Sequence, residues 1–126
     1  MGHSIRITVG DVQLTGTLND TPTADKIWDA LPIDRRVNVW GSEFYFDCGV
    51  SADQAPDATD RMEVGTLAYW PPGTAFCIFF GPTPASTGSE PRMASLGNIF
   101  GKLDDVPVAR LQKIRSGTAI KIEQEE

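Results

Sequence analysis

The sequence predicts a mainly-β chain, a barrel or sandwich of about eight short strands with two helices set against it. Three observations lead there. Short apolar runs with period-two alternation recur along the 126 residues. Clusters of Gly, Pro and Asp punctuate them, and only two segments carry a helical period. The hydrophobic share is 40% and the aromatics are three Trp, two Tyr and six Phe, enough to build one core and to argue against disorder.

Ile5, Ile7 and Val9, then Val12, Leu14 and Leu18, alternate on either side of Gly10-Asp11, which reads as an opening hairpin. Asp20-Thr21-Pro22 supplies a side-chain cap and a first-turn proline. Ala24, Ile27, Trp28 and Leu31 then make one helical face that Pro32 ends. Val37, Val39 and Trp40, followed by Glu43 to Phe46, read as two strands broken at Gly41-Ser42. Val50 to Asp60 is polar and reads as a surface loop. A strand over Gly65 to Trp70 stops at Pro71-Pro72-Gly73, and the continuous apolar run Ala75 to Phe80 predicts a strand buried on both faces. Tyr69 and Trp70 point to opposite faces, one to the core and one to the surface near Pro71-Pro72.

Gly81 to Gly97, rich in Gly, Pro, Ser and Thr, reads as a long binding loop. Asn98 to Leu103 resumes as strand. A second helix is expected from Asp104-Asp105, carrying Val108, Leu111 and Ile114 inward, with Lys113 and Arg115 near its end and Gly117 as its cap. Ala119 to Ile122 closes as a last strand, and the acidic tail 123–126 is expected to fray. One domain over 1–126 is the expectation.

A formal net charge of -6 opposes phosphate backbones and anionic lipid, so nucleic acid and membranes are poor partners. No apolar run approaches a membrane span, and the polar opening Met1-Gly2-His3-Ser4 does not resemble a signal peptide. Cys48 and Cys77 lack CxxC spacing and read as buried free thiols of a cytoplasmic protein, a disulfide between them being the alternative that geometry decides.

Several segments, in order, resemble cyclophilins. Thr21-Pro22-Thr23-Ala24-Asp25-Lys26-Ile27 is similar to the first cyclophilin helix, PKTAENF. Gly65-Thr66-Leu67-Ala68 resembles the GxLxMA strand, and Phe76 to Phe80 stands where SQFFI would. Asn98-Ile99-Phe100-Gly101-Lys102-Leu103, with Val108 and Ile114 after it, mirrors VVFGKV and the helix that follows. A closer similarity is to the small bacterial and archaeal cyclophilin-like proteins of unknown function, the DUF369 group. It is carried by Trp40-Gly41-Ser42-Glu43-Phe44-Tyr45-Phe46, by Tyr69 to Gly73, and by Ile78 to Pro84 with Ser86 after it. The resemblance implies a closed cyclophilin-like β-barrel.

The resemblance fails where a prolyl isomerase would need it. The stretch FHRVIPxFMxQGGD, which carries the catalytic arginine, has no counterpart near Val37 to Asp47. That arginine would stabilise a twisted amide most strongly in the transition state. The positions of the pocket Trp and His fall at Arg92 and Gly97. Efficient isomerase activity is therefore not expected, and no catalytic residue is assigned.

Other chemistries fare no better. Gly65-x5-Pro71-x-Gly73-x-x-Phe76 resembles a cupin motif, but a phenylalanine stands where a metal-binding histidine belongs. His3 is the sole histidine, so Ser or Cys nucleophiles lack a base. No Gly-rich phosphate cradle appears, and neither cofactor nor metal is expected.

The expected function is therefore binding of a small molecule or short peptide in a cleft beside the barrel. Glu43 and Tyr45 share one strand face, where a carboxylate beside an aromatic suits a cationic or hydrogen-bond-donating group. Phe79 and the loop residues Thr83, Ser86 and Arg92 complete the candidate ligand site, Arg92 pairing either with a ligand carboxylate or with Glu90. The alternatives are a weak isomerase with an atypical site and, by analogy of fold alone, an enzyme of small amides. Self-association into a homodimer stays open.

Overall fold

The structure, a computed structural model, describes residues 3–125; Met1, Gly2 and Glu126 lie outside it. Ten strands and two helices follow the order β1 (Ser4–Val9), β2 (Val12–Leu18), α1 (Pro22–Ala30), β3 (Ile33–Arg36), β4 (Asn38–Val39), β5 (Glu43–Asp47), β6 (Thr59–Arg61), β7 (Thr66–Trp70), β8 (Ala75–Phe79), β9 (Arg92–Leu103), α2 (Val108–Leu111) and β10 (Ala119–Glu125). All ladders are antiparallel, and the sheet runs β3-β10-β1-β2-β9-β7-β8-β5-β4, with β6 added on β9.

This path has two ends, so the sheet is not the closed barrel expected. The reason is local. The end strands β3 and β4 are successive stretches of one chain, separated by Val37 alone, and cannot pair with each other. Val37 itself bonds on the β10 side, its N–H donating to the Thr118 carbonyl (2.9 Å) and its carbonyl accepting from Gly117 (2.8 Å).

The main core lies inside the curl of this sheet. Alternation places Ile5, Ile7, Val9, Val12, Leu14 and Leu18 there, all buried. Phe44, Phe46, Tyr69, Phe76, Ile78, Phe80 and Phe100 add the bulk of it. Phe46 stacks on Phe76 at 5.2 Å, and Phe76 meets Phe100 edge-on at 4.9 Å. Helix α1 starts as its sequence predicts: the Thr21 hydroxyl accepts from the Ala24 N–H (3.2 Å), and Ala24 and Ile27 face the core.

Four expectations change. The two strands beyond eight are β3 (IDRR) and β6 (TDR), which are polar and recognisable only by pairing. The irregular stretch to Gly97 ends earlier, because β9 begins at Arg92, where β6 gives its first half a partner. The second helix is a single turn, Val108–Leu111, behind Pro107. Its last bonds, Lys113 to the Arg110 carbonyl and Ile114 to the Leu111 carbonyl, are the tighter i to i-3 type that ends a helix. Finally, the acidic tail continues β10 as far as Glu125. It pairs with β1 and is clamped by Arg6, whose Nε and Nη2 donate to the Glu125 carboxylate at 3.1 and 2.6 Å.

Candidate functional site

The strands that fill the core with one face carry a second apolar cluster on the other. Tyr45 lies opposite Cys77 in the β5–β8 ladder, and Ala68 opposite Cys77 in the β7–β8 ladder. Side chains alternate, so these residues share a face with Trp70, Ala75 and Phe79, away from Phe44, Phe46 and Phe76. Met62 and Met93 pack on that face with Ala68, Ala75, Cys77 and Phe79. Beside this cluster opens a cavity of about 140 Å³, lined chiefly by Trp40, Glu43, Tyr45, Trp70, Cys77 and Met93.

Backbone geometry fixes the walls. Trp40 and Glu43 flank the tight turn between β4 and β5, closed by the Trp40 N–H donating to the Glu43 carbonyl at 3.0 Å. Gly41 holds a left-handed φ of 61° there. The segment after β8 grips this turn, with the Ser42 N–H donating to the Pro82 carbonyl and the Phe80 N–H to the Ser42 carbonyl, both at 2.9 Å. On the far wall the Trp70 indole N–H donates to the Ser95 hydroxyl at 2.7 Å. A Cβ on Gly73 would stand 2.9 Å from Cε3 of that ring, so the indole lies directly on the backbone of the Pro71–Gly73 turn.

Glu43 is the unusual group. It is only 4% exposed, and it enters none of the ion pairs among the described residues. Burial pushes its carboxyl up to about 7, and the Cys77 thiol beside it offsets part of that rise. Burial, with the Glu43 charge beside it, raises the Cys77 thiol well above its ordinary value, which disfavours the thiolate. Cys48 is likewise a buried free thiol. The chain's histidine, His3, stacks on Trp28 at 4.1 Å and does not line the cavity. Among the described residues no three His, Cys, Asp or Glu side chains converge as a metal site.

Of the candidates read from the sequence, the structure brings Glu43 and Tyr45 together at the cavity. Phe79 pairs with Glu43 across the ladder but is fully buried beneath, within the second cluster. Thr83, Ser86 and Arg92 stand elsewhere. The Ser86 hydroxyl accepts from the Thr83 N–H (2.9 Å) and the Thr83 hydroxyl donates to the Arg92 carbonyl, so both side chains close the base of their own loop. The Arg92 guanidinium pairs with Asp60 (3.3 Å) and Glu90 (3.4 Å). Trp40, Trp70, Cys77 and Met93 were not among the candidates. The alternation that puts Tyr69 in the core does send Trp70 outward, but no pattern along the chain shows that Cys77 faces Tyr45.

Two broader hollows lack this chemistry. One of about 540 Å³ runs past Thr17, Arg61 and Lys102, and one of about 290 Å³ lies between α1 and residues 52–57. Neither is lined by an aromatic ring or a buried charge. Asn98, the buried polar residue at the second, is satisfied: its carbonyl oxygen accepts from the Ala55 N–H (2.7 Å), and its amide donates to Asp53 and Thr23.

No helix among the described residues is long and apolar enough to cross a membrane. No curated protein matches the chain. A hypothetical protein from Archaeoglobus fulgidus, solved in solution, is similar over 98% of this chain and 95% of its own, with 32% identity and a TM-score of 0.82. A family model described as cyclophilin-like matches residues 3–123, a span that carries all but the last two residues of the sheet, both helices and the Glu43 cavity. The chain belongs to the cyclophilin-like family.

Proposed function

We propose that this cyclophilin-like chain binds a small organic molecule, or one side chain of a short peptide, in the Glu43 cavity and does not efficiently isomerise prolyl bonds. The observation that carries the reading is a buried carboxylate without a cationic partner at a cavity of about 140 Å³ walled by two indoles and a phenol. At about 10–15 Å³ of such space for one enclosed water, the cavity has room for a compact organic group or a single side chain. No arginine lines it, which supports the absence of isomerase chemistry, and Arg92 is engaged with Asp60 and Glu90. The stretches Trp40 to Phe46, Tyr69 to Gly73 and Ile78 to Pro84 support placing the chain in the DUF369 group of small prokaryotic proteins. The two buried free thiols support a reducing, cytoplasmic setting.

Two measurements test this. A coupled assay on a Xaa-Pro peptide is expected to show the uncatalysed rate; an acceleration that Arg92→Ala abolishes overturns the reading. A thermal-shift screen of small polar organics is expected to raise the melting temperature for at least one. Saturating ligand adds about 2.7 kcal/mol at one hundred times its Kd, and Glu43→Gln should reduce that gain.

A further inference from the structure

If the cavity is a ligand site, its lining decides the chemical class it accepts. Three aromatic side chains reach it from three places: Trp40 at the β4–β5 turn, Tyr45 on β5 and Trp70 at the end of β7. Glu43 supplies negative charge, and Cys77 and Met93 add polarizable sulfur. No Lys, Arg or His lines the space. An anion would meet the Glu43 carboxylate without any compensating cation. A neutral apolar group would leave that carboxylate desolvated and unpaired.

A cation is attracted both by the carboxylate and by the electron-rich faces of indole and phenol rings. Its form follows from the polar inventory. A primary ammonium brings three N–H donors, and the Glu43 carboxylate and Tyr45 hydroxyl, the oxygen-bearing side chains in this mostly aromatic lining, are a poor match for three. A methylated ammonium donates one hydrogen bond or none and presents methyl groups that pack on rings. The Trp70 wall is already in place, held by Ser95 and by the Gly73 backbone, so little ordering is needed on binding.

We infer that the cavity takes a tertiary or quaternary methylammonium group, with Trp40, Tyr45 and Trp70 around its methyls and Glu43 as its counter-charge. The inference rests on the cavity being the ligand site proposed above. The group could belong to a free small molecule or to a methylated lysine of a peptide.

The test is a titration of the full chain followed by tryptophan fluorescence and calorimetry. The probes are tetramethylammonium, choline, a trimethyl-lysine peptide, and 3,3-dimethylbutan-1-ol, the uncharged counterpart of choline. At least one cationic probe is expected to bind about tenfold or more tighter than the alcohol. Its affinity should tighten about tenfold from pH 6 to pH 8 as Glu43 ionises, the other titratable groups at the cavity being Tyr45 and Cys77. Glu43→Gln should reduce the preference and remove the pH dependence, and Trp70→Phe should weaken cation binding several-fold while the fold persists. If Glu43→Gln does not fold, the pH profile of the unaltered chain and Trp70→Phe decide. A peptide stronger than choline assigns the group to a protein partner and the reverse assigns it to a metabolite; either order supports the class. Equal binding of the alcohol overturns the ammonium class while leaving a ligand site. Failure of all three cations at millimolar concentration overturns it as well, and the thermal-shift screen then judges the ligand site separately.

Discussion

At Glu43 a carboxylate has been taken from water without an ion-pair partner among the described residues. Such a group binds protons more tightly in the folded chain than in the unfolded one. Its carboxyl rises from an ordinary 4.5 to about 7, so the folded state holds the extra proton between those values. Stability contributed by the protonated form is complete below about pH 4.5 and is lost as pH rises through about 7. At 1.36 kcal/mol per unit the loss is on the order of 3 kcal/mol. Urea denaturation at pH 5 and pH 8 should show this decline, and Glu43→Gln should flatten it; an equal decline in that variant would assign the effect to another group. The sequence places Glu43 and Tyr45 on one strand face, but the same alternation serves equally for a wet face. What buries Glu43 is the apolar layer around Trp70, Cys77 and Met93, brought in from other strands.

The β4–β5 turn and the segment after β8 form one brace. Gly81 to Gly97 reads from composition as a binding loop, yet its Pro82 carbonyl holds the Ser42 N–H, the Ser86 hydroxyl holds the Thr83 N–H, and the Thr83 hydroxyl holds the Arg92 carbonyl. Rigid prolines suit a clamp as well as a binding loop, and composition does not distinguish the two. Gly41 shows the constraint most sharply. Beyond its left-handed φ of 61°, an added Cβ would come within 2.9 Å of Pro84 Cδ and Thr83 Cα. Gly41→Ala is therefore expected to cost about 1 kcal/mol for the backbone and more for the clash. Chemical denaturation measures the loss, and weakened ligand binding should accompany it because Trp40 and Glu43 flank the turn. Unchanged stability would mean that the turn is not gripped as the structure shows.

Over the whole molecule, the first and last strands lie side by side, and β2 reaches across to β9. Ladders between such distant segments must close large loops before they gain contacts, which slows folding. Refolding from urea, followed by stopped-flow tryptophan fluorescence, should occur in milliseconds to seconds; complete recovery in microseconds would contradict the non-local topology. The same topology explains which expectations about the fold changed. Eight strands announce themselves through apolar residues, alternating as in Ile5-x-Ile7-x-Val9 or continuous as in Ala75 to Phe80. Strands β3 and β6 have almost no apolar residues to alternate and exist because β10 and β9 present free edges.

By itself the sequence determined the mainly-β class, α1 with its Thr21 cap, the core faces of the principal strands, and a carboxylate beside a tyrosine on β5. Those features depend on local periodicity and capping, which each segment carries in its own residues. Only the tertiary structure decided that the sheet ends at β3 and β4 without closing, that Arg92 turns to Asp60 and Glu90, and that Trp40 and Trp70 join Glu43 at one cavity. Each of these depends on which distant strands become neighbours, and strand register is a property of the assembled sheet.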